Sequence, residues 1–319
     1  MLVLGRKQIE EIIDMRKVVE VVEAAFRSHG LGQVSMPPKL YLSLPQYGGD
    51  FRAMPAFVNG AAGVKWVNSH PGNPKTKNLP TVMAVLIYND PATGLPLAVM
   101  DATLITKYRT AAASAIAVKH LARKGARTVG MIGCGAQAGP HLTALQTVMN
   151  IEEVFLYDAD SLRAQALARE FNHLKARVKP LAEVAKADVI CTITPGYGRV
   201  LESEWVRPGA HINAVGADAP EKQELDPKIL NMARVFVDDV EQACHSGEIS
   251  GPIEAGTFAP SDIAGTLGQV VAGLRQGRTS DADITLFDST GLAIQDVSTA
   301  RYVYEEALKR GVGLHVDLL

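Results

Sequence analysis

Apolar positions recur along this chain with two different periods, and the change between them falls near residue 126. From Arg6 to Phe26 the residues Ile9, Ile12, Ile13, Val19, Val22 and Phe26 follow helical spacing with acids on the other face, which predicts a surface helix. Pro37-Pro38 then forces extended chain. Strand-like runs follow at Leu40 to Leu44, Phe51 to Met54, Gly63 to Val67 and Thr81 to Ile87. Asp90-Pro-Ala-Thr-Gly94 reads as a turn, with Leu95 to Met100 returning as its hairpin partner. The first third is thus a helix plus an antiparallel sheet. An Ala-rich helix, Ile105 to Leu121, leads out of it.

From Ala126 strands and helices alternate, which predicts a parallel sheet. The strands are Thr128 to Ile132, Val154 to Tyr157, Asp188 to Thr192, His211 to Val215, Val235 to Val237 and, last, Ile284 to Phe287. Helices are predicted at Gln137 to Met149, Leu162 to Phe171 and Leu181 to Ala187. A long helix, Leu292 to Lys309, closes the chain and is expected to pack back on the first domain. Residues 1–120 and 293–319 would then form one discontinuous domain and residues 121–292 another, in line with a length of 319 residues. The sequence has no internal repeat and no low-complexity linker.

The turn after the first strand of the second pattern carries the sharpest motif, Gly133-Cys-Gly-Ala-Gln-Ala138. Gly133 permits a tight turn, Gly135 lets backbone approach a pyrophosphate, and Ala138 allows close packing of helix on strand. The helix N-terminus offers N–H groups and a positive dipole end to phosphate. The next strand delivers Asp158, whose carboxylate can accept from the adenosine ribose hydroxyls. Strand, glycines, helix, second strand and acid in this order point to a dinucleotide site rather than an ordinary strand-to-helix turn. The acid favours NAD; Arg163, a few residues on, leaves NADP open.

Composition narrows the partners. The apolar fraction is 47% and the net charge −2, with no Lys/Arg block, which argues against nucleic acid or an anionic membrane. No apolar run approaches the ~18 residues of a membrane span, and the N-terminus lacks the basic-then-apolar order of a signal peptide. Cys134, Cys191 and Cys244 stand far apart, which fits a reducing cytoplasm. The eight His form no ligand-spaced cluster, so no catalytic metal is expected.

Four charged residues lie beside glycine, proline or strand ends. Arg52, in Phe51-Arg-Ala-Met-Pro55, reads in isolation as a surface charge. Arg109 is taken to open the Ala-rich helix, either as a structural ion pair or as a carboxylate ligand. Lys65 sits among apolar neighbours in a strand, where a lysine is costly unless paired, which favours function. Asp218, taken to end a strand at the edge where α/β enzymes bind ligands, either caps the next segment or acts in chemistry. Lys39 reads as solvated or as lining the same pocket; Thr110 caps its helix or bonds phosphate. Together they suit a redox site for a 2-oxo or 2-amino acid: guanidinium groups for a carboxylate, and a lysine of lowered pKa as acid/base.

With these residues in view, the chain resembles the ornithine cyclodeaminase/μ-crystallin family along nearly its whole length. The resemblance rests on Trp66-Val-Asn-Ser-His-Pro-Gly-Asn73, Leu79-Pro-Thr-Val-Met83, Ala98-Val-Met-Asp-Ala-Thr103, Gly133-Cys-Gly-Ala-Gln137, Asn213-Ala-Val-Gly-Ala-Asp218 with Lys222-Gln-Glu-Leu225, and Phe287-Asp-Ser-Thr-Gly-Leu-Ala-Ile-Gln-Asp296. Within the family it is most similar to the archaeal-type alanine dehydrogenases. The resemblance implies an α/β protein with a Rossmann-type doubly wound parallel sheet that binds NAD, and a discontinuous α+β domain for dimerisation and substrate. It implies a homodimer acting on a small amino acid or 2-oxo acid. Lys65 would be the acid/base and bind substrate, with Arg52, Arg109 and Lys39 around the substrate carboxylate and Asp218 as the catalytic carboxylate. Thr81, Arg109, Thr110, Gly133, Gly135, Ala136, Gln137, Asp158, Val215, Lys222 and Ser289 would meet the cofactor.

One departure separates the subfamilies. Ornithine cyclodeaminases carry an acid just before the Met-Pro element, and this chain has Arg52 there. At about 4 Å two like charges repel by ~4 kcal/mol at an effective dielectric near 20, enough to disfavour ornithine. The expected activity is therefore NAD-dependent oxidation of L-alanine to pyruvate and ammonia in the cytoplasm. Ornithine cyclodeaminase and ketimine or cyclic imino-acid reductase are the alternatives, and a non-enzymatic nucleotide-binding role is the reading from another class.

Overall fold

The computed structural model describes residues 1–219 and 221–317. The chain opens with β1 (Leu2–Leu4), α1 (Arg6–Ile12) and α2 (Met15–Gly30). The single helix expected from Arg6 to Phe26 is thus two. Ile13 takes an extended conformation, and the Asp14 side chain accepts from Lys17 N at 3.0 Å, starting a fresh helix. The apolar stripe survives the break, with Ile9, Ile12, Val19, Val22 and Phe26 all buried. After it come β2 (Val34–Ser35), β3 (Leu40–Leu44), β4 (Gly49–Val58), β5 (Ala61–Ser69), the short α3 (Asn73–Thr76), β6 (Val82–Asn89), β7 (Pro96–Asp101) and α4 (Ala102–Leu121). Strands β4 and β5 outrun their predicted ends because their two-residue alternation continues: Arg52, Met54, Ala56 and Val58 all face the core. Helix α4 starts earlier than predicted, where the Asp101 carboxylate accepts from Thr103 N (3.1 Å) and Leu104 N (3.2 Å). Arg109 and Thr110 therefore lie mid-helix. Neither opens nor caps it.

The alternating region contains β8 (Thr128–Ile132), α5 (Ala138–Leu145), β9 (Glu153–Tyr157), α6 (Ser161–Glu170), β10 (Arg177–Val178), α7 (Leu181–Val184), β11 (Val189–Thr192), β12 (Tyr197–Leu201), β13 (His211–Ala214), β14 (Gln223–Leu225), α8 (Lys228–Met232), β15 (Ala233–Val237), α9 (Val240–Ser246), α10 (Ser250–Glu254), β16 (Gly265–Thr266), α11 (Leu267–Val271) and β17 (Ile284–Asp288). The predicted strands are all present. Helix α5 ends at Leu145 rather than Met149, where Thr147 Oγ1 donates to Ala144 O at 2.6 Å and competes with helix continuation. The sheet order is β10-β9-β8-β11-β13-β17-β15-β16, with every pair parallel. The chain winds outward from β8 through β9 and β10, then returns to β11 on the other side. This is the doubly wound Rossmann arrangement, with its crevice at the carboxyl ends of β8 and β11. Apolar cores cover both faces: Val129, Met131, Val154, Leu156 and Val189 on one, and Ile132, Ile190, Ile212, Val235 and Leu286 on the other.

Helix α12 (Ala293–Arg310) and β18 (Leu314–His315) close the chain on the first sheet. Helix α12 packs against α2, β4 and β5. That sheet runs β18-β1-β7-β6-β5-β4-β2, with β3 also on β4. It is mixed rather than purely antiparallel, since β1 runs parallel to β7. A three-residue strand is too short to show a period. The chain forms two compact units, Met1–Arg109 with Leu292–Leu319, and Thr110–Gly291. Their division falls inside α4, eleven residues before the expected boundary, and the last two residues of the expected 293–319 segment lie outside the described residues. Among the described residues no helix is long and apolar enough to cross a membrane.

Candidate functional site

Strand β5 turns Lys65 inward between Met54 of β4 and Leu86 of β6. The side chain is 1% exposed, and Nζ stands 2.7 Å from Asp296 Oδ2 on α12. The two form a tight buried ion pair, and Lys65 also donates a long hydrogen bond to Thr106 Oγ1 at 3.4 Å. Arg109 meets the other oxygen of the same carboxylate, Nε to Asp296 Oδ1 at 3.0 Å, and donates from Nη1 to Gln295 Oε1 at 2.8 Å. Three charged groups thus share one buried centre. Burial pulls the Lys65 ammonium down to a pKa of about 7, helped by the charges of Arg109 and Lys39 and opposed by Asp296. An amine that exchanges its proton near neutrality is what acid/base work on an imine needs. Lys39 is half-buried and close enough for its charge to act on Lys65. It is not simply solvated.

Arg52 lies on the same face of β4 as Met54, two residues from the position opposite Lys65. It is 6% exposed, so it is not a surface charge. Asp50 holds it in a fork, accepting from Nε at 2.8 Å and Nη2 at 3.2 Å, and the guanidinium lies over the Tyr41 ring at 5.1 Å. This pairing tempers the repulsion expected against ornithine, since the carboxylate offsets much of the field of the guanidinium. Thr81 is in the loop before β6, where its carbonyl accepts from His70 N.

In the second unit, Gly133 has φ +100°, and a Cβ there would stand 2.9 Å from Ile193 O, so only glycine turns the chain at this point. Gly135 differs. Among the described residues nothing lies within 4 Å of the place a Cβ would take, so their packing does not require the glycine, and the open cradle suits a close ligand. Asp158 organises the turn, with Oδ2 accepting from Cys134 N at 2.7 Å and Oδ1 from Asp160 N at 2.8 Å. Two buried polar atoms, Gln137 Oε1 and Ser289 Oγ, have no hydrogen-bond partner among the described residues. A dinucleotide cradle with orphaned polar atoms fits NAD, which Gly133, Gly135, Ala136, Gln137 and Asp158 would hold. Arg163 is turned to Asp160 at 3.4 Å. Cys134, in the turn, has its thiol pushed up to about 12 by burial, as does Cys191, so neither is a reactive thiolate.

Asp218 does not end a strand: β13 stops at Ala214, and Asp218 sits in the turn beyond, its N–H donating to Gly216 O. Its partner is Lys222, whose Nζ is 2.6 Å from Oδ1 and 5.6 Å from the Tyr197 ring centre. Val215 closes the strand end by donating to Thr192 O, and Thr110 is buried within α4. The structure thus groups Lys39, Arg52, Lys65, Thr81 and Arg109 in one unit, and the remaining candidates in the other. Asp296 was missed as a site residue, together with Asp50 and Gln295. Its signal was available in the apolar run Ala293-Ile-Gln-Asp-Val297, where an acid is as unusual as Lys65 in its strand.

Residues 1–311 match the model of the ornithine cyclodeaminase/mu-crystallin family. The chain belongs to that family. It is 51% identical to an alanine dehydrogenase of Archaeoglobus fulgidus, over 98% of this chain and 97% of that one. Among solved structures, an archaeal alanine dehydrogenase dimer with bound NAD superposes with a TM-score of 0.97 at 50% identity, covering 100% of this chain and 99% of that one. The Δ1-pyrroline-2-carboxylate reductase of Thermococcus litoralis, in complex with NADH and L-proline, gives a TM-score of 0.95 at 37% identity, covering 99% and 100%. Family membership agrees with the motifs around Trp66, Gly133, Asp218 and Asp296.

Proposed function

We propose that this chain is an NAD-dependent L-alanine dehydrogenase that converts alanine and water to pyruvate and ammonium. The observation that carries the reading is Lys65, fully buried with a proton affinity near neutrality beside Asp296 and Arg109. The likeness to the Archaeoglobus fulgidus enzyme supports the choice of alanine.

Bound NAD supplies the acceptor for the hydride that leaves Cα of the amino acid. The protein does the rest. Arg109 keeps Nη2 for the substrate carboxylate once Nε and Nη1 are taken by Asp296 and Gln295, and Arg52 adds a second guanidinium. Neutral Lys65 takes a proton from the substrate ammonium, freeing the nitrogen lone pair that drives the hydride out. Water then adds to the imine carbon, and collapse of the carbinolamine breaks the C–N bond, giving pyruvate and ammonia. Asp218 is the carboxylate assigned to that water, held in place by Lys222.

A second copy of the chain is the proposed partner. Phe57, Trp66, Val85 and Ile87 share the outer face of β4, β5 and β6 and are 39–47% exposed, an apolar patch suited to burial against its own copy. The dimeric state of the NAD-bound archaeal relative supports this. We place the enzyme in the cytoplasm, where its three free thiols would stay reduced.

Cyclic imino-acid reduction is the second reading, favoured by the likeness to the Thermococcus litoralis reductase. Absorbance of the reduced nicotinamide decides between them. Net NADH on adding L-alanine and NAD supports the dehydrogenase. NADH consumed with Δ1-pyrroline-2-carboxylate, and none formed with alanine, overturns it. Ammonia and proline from ornithine without net NADH overturns both.

A further inference from the structure

The carboxyl-edge loops of the second sheet are joined by a buried acid. Glu224, on β14, is 0% exposed. Its Oε1 accepts from Thr194 N at 2.7 Å and from Thr194 Oγ1 at 2.6 Å. Its Oε2 accepts from Gly216 N at 2.8 Å. Thr194 follows β11 and Gly216 follows β13, two neighbouring strands. One carboxylate therefore ties together the ends of both loops.

We propose that Glu224 is a positioning residue, locking these loops into the cofactor-binding edge and so fixing the place of Asp218. The inference rests on the nicotinamide-dependent reading above. Gly216 and Glu224 are tied by their hydrogen bond, and Asp218 and Lys222, which lie between them in sequence, pair with each other. The fit is close: a Cβ on Gly216 would fall 2.4 Å from Glu224 Cδ, so only glycine lets the carboxylate lie flush against the loop. A Cβ on Gly196 would fall 2.8 Å from Gly216 O, so the two loops touch directly.

The acid is itself held from behind. Glu224 N and Leu225 N donate to Glu248 Oε1 and Oε2 at 2.7 and 3.2 Å, and Gln223 N donates to Gly196 O at 2.8 Å. Burial raises Glu224 above the ordinary carboxylate range, while Thr194, Thr192 and Gly216 pull it back. Glu248 and Asp288 lie near enough for their charges to be felt, and both are raised, Asp288 to about 8. Both oxygens of Glu224 serve as acceptors. An amide in its place would turn an N–H toward an N–H, and a buried carboxyl is a costly tether unless the loop position matters.

The test compares full-length Glu224→Gln and Thr194→Val with wild type. NADH affinity is read by fluorescence titration, kcat and KM for the amino acid by steady-state assay, and Tm by thermal melt. The expected result for Glu224→Gln is NADH affinity and kcat each reduced at least about tenfold, with KM for the amino acid changed less than about threefold. Thr194→Val, which removes one of the donors, should follow with a smaller loss. It carries the test if Glu224→Gln fails to fold. A variant whose Tm falls while NADH affinity and kcat stay within about twofold of wild type would overturn the proposal and leave Glu224 a structural tether. Wild type that binds NADH but does not oxidise alanine sinks only the alanine reading, because the titration still measures Glu224. Wild type that does not bind NADH overturns both.

Discussion

Lys65 and Asp296, far apart in sequence, meet as a buried pair with Nζ 2.7 Å from Oδ2 and side chains 1% and 0% exposed. The lysine is held against its own solvation preference. Its proton affinity falls to about 7 because burial disfavours the charge more than Asp296 restores it. Breaking such a pair and using such a pair have different, separable signatures.

Replacing Lys65 by Met should cut alanine turnover by ~10²–10⁴, the span of general acid–base catalysis, without lowering Tm at pH 6. The sign follows from linkage. A lysine whose folded pKa is depressed binds fewer protons in the folded state between about 7 and 10.5, so its cost to stability is fully present below 7 and fades as pH rises. Melting curves at pH 6 and 9 check this: the wild type should gain on the Met variant at the higher pH.

Alanine oxidation should show an acid limb near pH 7, rising as Lys65 loses its proton. Asp296→Asn removes the group that raises the Lys65 pKa, so the limb should move to lower pH. Stability should also drop by about 3 kcal/mol or more, because Arg109 loses its buried partner. A pH–rate profile of kcat/KM and a denaturant melt check the two effects.

Asp158→Ala should raise KM for NAD by roughly tenfold or more, from loss of a charge-assisted contact worth about 1.5–3 kcal/mol. It should also relax discrimination against NADP. Cys134 N loses its 2.7 Å acceptor in the same step, so a fall in Tm should accompany the kinetic change. Steady-state assays with both cofactors measure the preference.

Val85→Glu places a charge in the apolar outer face opposite Trp66. It should shift the proposed dimer to monomer, read by light scattering across a dilution series. A variant still dimeric at the lowest measurable concentration would move the interface elsewhere.

Apart from β1, β2, β10, β12, β14, β16 and β18, the sequence by itself determined the strands, the parallel second sheet and the dinucleotide turn. These are local: a two-residue alternation, a helical stripe or a Gly-rich turn is written in neighbouring positions. It also flagged Lys65, because one cation in an apolar strand stands out against its own neighbours. It missed the break at Ile13, where a single capping acid outweighs a continuous apolar stripe, and the start of α4, which Asp101 sets one turn early.

Only the tertiary structure decided what each charge faces. Asp296 comes from the last helix to meet Lys65 and Arg109, Asp50 takes up Arg52, and Lys222 takes up Asp218. Glu224 reaches one loop eight residues away and another thirty residues away. Arg52 and Asp218 find their partners two and four residues away, but Lys65 and Arg109 share an acid from the far end of the chain, 187 positions beyond Arg109, and their pairing depends on that distance. No local pattern encodes that distance, because the energy of a charge is set by its surroundings in space.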